Sequence, residues 1–227
     1  MNELSFEPND FSGCVRLFPI PQLVMFPHVM QSLHVFEPRY RALLSDSLGD
    51  DKLIAIPVHS TEVATAGNSP PLEPVACLTK IISHQQIADG RSSILVAGVA
   101  RIQLSHELPP WEMYRQARAE ILPDRCSDAG GEEADATRAV LVTAFKNKLV
   151  GHVEDLACLD GLLDREVSLS VVTDLIAHTL ELDWGVKVQL LAELDVGQRA
   201  AKLQEILVDP NASLMAAHEY LPSFSAN

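Results

Sequence analysis

The residues best suited to chemistry lie late in the chain, in S-L-S-V-V-T-D-L-I-A-H, Ser168 to His178. Ser168, Ser170, Asp174 and His178 are the types that build a nucleophile, an orienting acid and a general base. Their spacing argues against that use. Asp174 and His178 stand four apart and share a helix face, but Ser170 is two turns from His178, beyond hydrogen-bond reach. No G-x-S-x-G elbow presents a serine. His34, His59 and His84 fall 25 residues apart without clustered carboxylates, unlike a metal site, and read as solvated or hydrogen-bonded side chains. Glu37, beside Arg39 and Arg41, is explained by the positive end of a helix dipole. Cys14, Cys77, Cys126 and Cys158 form no C-x-x-C and are expected as reduced thiols. We expect no catalytic residue, no metal and no cofactor.

Residues suited to binding appear earlier. L-F-P-I-P-Q-L-V-M-F-P, Leu17 to Pro27, is apolar and broken by Pro19, Pro21 and Pro27. Proline cannot donate to a ladder, so the segment is expected as a stiff crossover between strands. Some of Leu23, Met25, Phe26 and Met30 should then face water. Met and Phe repack easily around varied partners, which suits an apolar contact loop for extended polypeptide. The alternative is that Phe26 plugs the end of a barrel. Trp111 and Tyr114, in P-P-W-E-M-Y, either join an interface or close the barrel.

The elements that must position these residues follow from period. V-R-L-F-P-I and Gln31 to Phe36 read as strands, the second with Leu33 and Val35 on one face and His34 and Phe36 on the other. A helix is expected over about 38–48, started by Pro38 and stopped by Gly49. K-L-I-A-I-P-V is a strand, and Ser60 to Pro74 a loop. Asp89-Gly90 supplies the positive φ angles of a tight hairpin, and Gly98 marks a bulge or corner. Asp124 to Glu133 is polar and Gly-rich. Beyond it lie helical stripes: Val140, Leu141, Ala144, Phe145 and Leu149; Leu169, Val172, Ile176 and Leu180; Val186 to Leu194; Val196, Ala200, Leu203 and Leu207, the last capped by Asp195 with Gln198. The expected class is α+β. A barrel subdomain occupies 1–123, a linker 124–134, a helical bundle 135–208 and a tail 209–227.

The chain has 227 residues, with 31 acidic against 17 basic and a net charge of −14. Without a cluster of Lys and Arg, phosphate neutralisation is weak, so neither nucleic acid nor an anionic membrane surface is an expected partner. No apolar run approaches the roughly 20 residues of a membrane span. The first ten residues are acidic rather than basic. A cytoplasmic location is expected.

Three stretches in order carry a resemblance: L-F-P-I-P-Q-L-V-M-F-P-H-V-M-Q-S-L-H-V-F-E-P-R-Y-R-A-L-L, A-C-L-T-K-I-I-S-H-Q-Q-I-A-D-G-R-S-S-I-L-V-A-G-V-A-R-I-Q-L and L-L-A-E-L-D-V-G-Q-R-A-A-K-L-Q-E-I-L. From Cys14 to Val208 the chain resembles the N-terminal domain of Lon protease, above all its short stand-alone bacterial forms. The resemblance implies a PUA-like β-barrel subdomain followed by an α-helical bundle. In full-length Lon such a domain recruits unfolded or tagged substrates and helps assembly, while separate ATPase and Ser-Lys protease modules do the chemistry. This chain has no G-x-x-x-x-G-K-[ST] loop and ends at Asn227, so neither module is expected. Two positions depart from the pattern: His28 stands where the family usually has Gly, and Gln31-Ser32 where a second proline is common. The resemblance implies a non-catalytic binder of unfolded or extended polypeptide, with a protease or a second copy as further partners. A structural or oligomerisation adaptor is the alternative, and an RNA-binding PUA-like protein a weaker one.

Overall fold

Where β-branched and apolar residues alternate, the first part of the chain is extended, and the computed structural model shows six strands and a helix there. Residues 6–60, 70–125, 131–149, 167–209 and 213–214 are described. The chain divides into two units, Met1–Pro123 and Asp124–Asn227.

In the first unit the strands are β1 (Cys14–Arg16), β2 (Met30–Val35), β3 (Leu53–Ile56), β4 (Val75–Gln86), β5 (Ser92–Glu107) and β6 (Gln116–Leu122). All pair antiparallel, in the order β1-β6-β5-β4-β3, with β2 added to β5. The 16 residues of β5 let it serve two neighbours in turn on one side. Ser92 to Ala97 pair with β2, and Arg101 to Glu107 pair with β6. β4 runs along the other side, and Thr79 faces Gly98 while Leu78 faces Ala100, leaving Val99 as a bulge. Bulges raise local twist, and this sheet bends until its ends meet. Leu17 and Ala55 form one parallel bridge, and Phe18 N–H donates to Ala55 O at 2.8 Å. Among the described residues no ladder joins β1 to β3, so the sheet is bent but not closed. Val15, Leu17, Leu53, Ala55, Leu78 and Ile102 are part of the core this bending encloses.

The helix α1 (Pro38–Leu48) buries Tyr40, Leu43 and Leu44. Gly49 ends it with φ −80°, so the stop does not use glycine's left-handed freedom. At the hairpin tip Asp89 and Gly90 do take positive φ, 66° and 73°. A Cβ on Gly90 would lie 2.2 Å from the Arg41 guanidinium. The arginine of the F-E-P-R-Y-R segment thus covers the D-G turn.

The second unit contains α2 (Gly131–Leu149), α3 (Leu169–Thr179), α4 (Trp184–Ala192) and α5 (Val196–Val208), with a short pair β7 (Leu180–Glu181) and β8 (Ser213–Leu214). Leu141, Phe145, Val172, Ile176, Ala200 and Leu203 are fully buried, and α2, α3 and α5 pack pairwise. Val140, expected in the α2 stripe, is exposed instead, one position off the buried side held by Leu141 and Phe145. Asp195 caps α5, its carboxylate accepting from Gln198 N–H at 3.0 Å. The segment read as a linker begins inside this unit. Arg125 N–H donates to Leu194 O and Val196 N–H to Arg125 O, while α2 already starts at Gly131. Cys126, Cys158, most of the Ser60 to Pro74 loop and nearly all of the tail lie outside the described residues.

Candidate functional site

The proline-broken crossover runs from β1 to β2, as the missing proline donors dictate, but its side chains turn inward. Met25 and Phe26 are 0% exposed, and Leu23, Val24 and Pro27 are buried with them. Some of Leu23, Met25, Phe26 and Met30 were expected to face water; of the four, only Met30 does, at 58%. The physical reason lies in the prolines. A buried loop must satisfy every backbone N–H, and Pro19, Pro21 and Pro27 carry none. Leu23 N–H donates to Ile20 O, and Tyr40 O–H donates to Pro19 O at 3.3 Å, the Tyr40 ring centroid lying 4.4 Å from that of Phe18.

Gly98 completes the closure. A Cβ there would lie 2.1 Å from Phe26 O and 2.9 Å from the Pro27 Cα, so only glycine lets the crossover lie against β5. His28 N–H donates to Gly98 O at 2.9 Å and Gly98 N–H to Val29 O at 2.8 Å. This clamp holds His28 at φ 65°, a conformation that strains a residue with a Cβ.

Tyr114 is buried and donates to Asp46 at 2.7 Å. Burial first, and then that bond, push its phenol up to about 12. It closes the unit beside Arg16, which pairs with Asp50 and Asp51. Trp111, three residues before it, is 83% exposed, and Met113 68%. Met30 sits beside Ala97 in the middle of β5, and the Trp111 loop follows the end of that strand. Phe36 and Met113 were missed by sequence reasoning. Phe36 continues the outward face of Met30, Ser32 and His34, a signal present in the alternation.

The groups that raised catalytic questions have other work. Ser168 caps α3, accepting from Val171 N–H. Ser170 donates to Asp124, and Asp174 lies 3.8 Å from the Arg199 guanidinium. Arg199 is fully buried and bonds both oxygens of Asp124, Thr173 Oγ1 and Glu193 O. The sequence signal for it was missed: Arg199 falls within the apolar stripe of α5. Lys187 donates to His178 O and is pushed down to about 8 by burial. His84 Nε2 lies 3.2 Å from Ser92 Oγ. Burial, then Arg115 and Arg39, lower His59. Arg39 bonds Glu37 and stacks 4.5 Å over Tyr40. Among the described residues no three His, Cys, Asp or Glu side chains gather as a metal would require.

The sequence profile of the ATP-dependent protease La (LON) substrate-binding domain matches residues 15–209. The chain belongs to this Lon substrate-binding domain family. Lon protease of Brucella suis biovar 1 is 24% identical over 199 residues, covering 86% of this chain and 24% of that protein. Lon protease 2 of Herpetosiphon aurantiacus is 29% identical over 194 residues, covering 84% of this chain and 23% of that protein. The chain therefore spans about a quarter of the length of the curated relatives it matches. The N-terminal domain of Mycobacterium avium complex Lon protease superposes with a TM-score of 0.70 at 17% identity, over 87% of this chain and 99% of that one. A Lon N-terminal domain protein from Xanthomonas campestris gives 0.62 at 21% identity, over 85% and 97%. At such identities these structures show the fold. The match ends within the Lon substrate-binding region, and the catalytic modules of Lon are not matched. Met30, Phe36, Trp111 and Met113 are among the exposed large apolar side chains of the first unit, and Met25 and Phe26 are not.

Proposed function

We propose that this chain is a non-catalytic module that binds unfolded or extended polypeptide, with Met30 and Trp111 among its contact residues and Phe36 and Met113 beside them in sequence. The observation that carries the reading is a tryptophan 83% exposed in a member of the Lon substrate-binding domain family. An exposed aromatic that follows two prolines offers large apolar area with little side-chain entropy to lose on binding. Leu23, Met25, Phe26 and Tyr114 are buried and are not contact residues in this reading. The bent sheet with its meeting ends is read as a PUA-like barrel, and the second unit as the helical bundle that follows it. Among the described residues no helix is long and apolar enough to cross a membrane, which agrees with action in the cytoplasm. A protease is the natural receiver of the bound chain, and the acidic surface favours guests other than nucleic acid.

The test is fluorescence anisotropy of labelled, reduced and carboxymethylated α-lactalbumin titrated with the full chain. We expect saturable binding, lowered by Met30→Ser and by Trp111→Ser. No binding at tens of micromolar, or equal binding by the double variant, overturns the reading. A peptidase assay with and without ATP is expected to give no cleavage.

A further inference from the structure

The backbone of β2 is sorted by its own geometry. An extended residue directs its N–H and C=O to one side, and the next residue directs its pair to the other. Val29 O accepts from Gly98 N–H on β5. By that alternation Gln31, Leu33 and Val35 bond to β5, while Met30 and Ser32 turn their N–H and C=O to the opposite edge. Among the described residues no strand pairs with that edge. Ser32 O there accepts only the side-chain amide of its neighbour, Gln31 Nε2, at 3.1 Å. Both Met30 and Ser32 are exposed. Donors and acceptors in extended register that no strand takes up are a template for another strand.

The surroundings define the guest. Phe11 to Phe36 contains no Asp or Glu, nor does β4, nor β5 before Glu107, in a chain with 31 acidic residues. Of the carboxylates that follow β2 and precede β5, Glu37 pairs with Arg39 at 2.8 Å and Asp89 lies 3.7 Å from Arg91. Lys80, His34 and His84 lie on the same strands. With so few carboxylates along these strands, a neutral or acidic guest meets little like-charge repulsion at this edge, in spite of the net charge of −14. Met30 and Phe36, 58% and 56% exposed, bracket the outward face of β2. Side chains at alternate positions of an added strand would lie beside them.

We propose that the free edge of β2 takes up an extended, neutral or acidic polypeptide segment as an added strand, main chain to main chain. This rests on the polypeptide-binding reading and specifies its mode.

The test measures amide hydrogen exchange of the full chain by NMR, alone and with saturating reduced, carboxymethylated α-lactalbumin. Exchange at Met30 and Ser32 should slow on addition of the guest. In parallel, Ser32→Pro removes an N–H that the β2–β5 ladder does not use and blocks the edge, while Ser32→Ala leaves the backbone unchanged. Ser32→Pro should weaken binding at least about tenfold, the loss expected from one or two net hydrogen bonds, and Ser32→Ala should not. Unprotected Met30 and Ser32 with full binding by Ser32→Pro overturn strand addition and leave the polypeptide reading standing. No binding by the wild type overturns both. Protection that grows with protein concentration alone, with a dimer in light scattering, assigns the edge to a second copy and overturns the proposal. Where Ser32→Pro melts early, the wild-type exchange pattern decides alone.

Discussion

Two apolar segments of the first unit that follow prolines meet opposite fates. Between Pro19 and Pro27 the side chains of Met25 and Phe26 are wholly enclosed; between Pro109 and Tyr114, Trp111 and Met113 stand in water. Composition does not separate them. What separates them is the surface each meets. The first lies against Gly98, where the missing side chain and two backbone hydrogen bonds admit it. The second leaves the end of β5 in a tight turn, Trp111 N–H to Pro109 O at 2.8 Å, and only Tyr114 reaches inward. Proline is thus ambiguous as a sign of surface: by removing donors it also makes a loop easier to bury.

The difference is broken most sharply at Phe26. Phe26→Ala should destabilise the protein by about 3–5 kcal/mol, the range for a large aromatic lost from a core, read by urea unfolding. Arg199→Ala should have a comparable effect in the second unit, about 3–5 kcal/mol, because Asp124 and Asp174 lose their buried cation. Hydrogen exchange should place that loss in α3 and α5 and leave β2 to β6 protected. Gly98→Ala should cost about 1–3 kcal/mol by forcing the crossover off β5, and exposure of Phe26 to quenchers would accompany it. His28→Gly should raise stability by up to about 1 kcal/mol through relief of the left-handed strain. A lower melting temperature for that variant would mean that its side chain, not its backbone, holds the turn. Trp111→Ser closes the series, with stability unchanged within about 0.5 kcal/mol and polypeptide binding lowered.

Much of the fold is legible in residue order because local physics dictates it. Pro38 starts α1 and the Asp89-Gly90 pair turns the β4–β5 hairpin, each at the residues named from sequence. Asp195 caps α5 because a short carboxylate immediately before the helix body has no better use. Burial was harder to read. Whether Phe26 faces in or out depends on Gly98, 72 positions later, a pairing that periodicity cannot supply. Val140 illustrates the same limit: both 140/144 and 141/145 fit a helical stripe, and only packing chooses Leu141 and Phe145. Arg199 was passed over because an arginine inside a stripe looks like an interruption, until Asp124 and Asp174 arrive from distant parts of the unit. The proposed contact residues were half visible: Met30 and Trp111 by type and setting, Phe36 and Met113 only by their exposure.

The most direct test uses the fact that the chain has two tryptophans, Trp111 and Trp184. In a Trp184→Phe variant the emission reports Trp111 alone. Unlabelled, reduced and carboxymethylated α-lactalbumin with its own tryptophans replaced by phenylalanine is then titrated in. A saturable blue shift, absent when the native, disulfide-bonded form of the same guest is added, is the predicted result. Emission that stays at the wavelength of water-exposed tryptophan while anisotropy reports full binding would contradict the assignment of this surface.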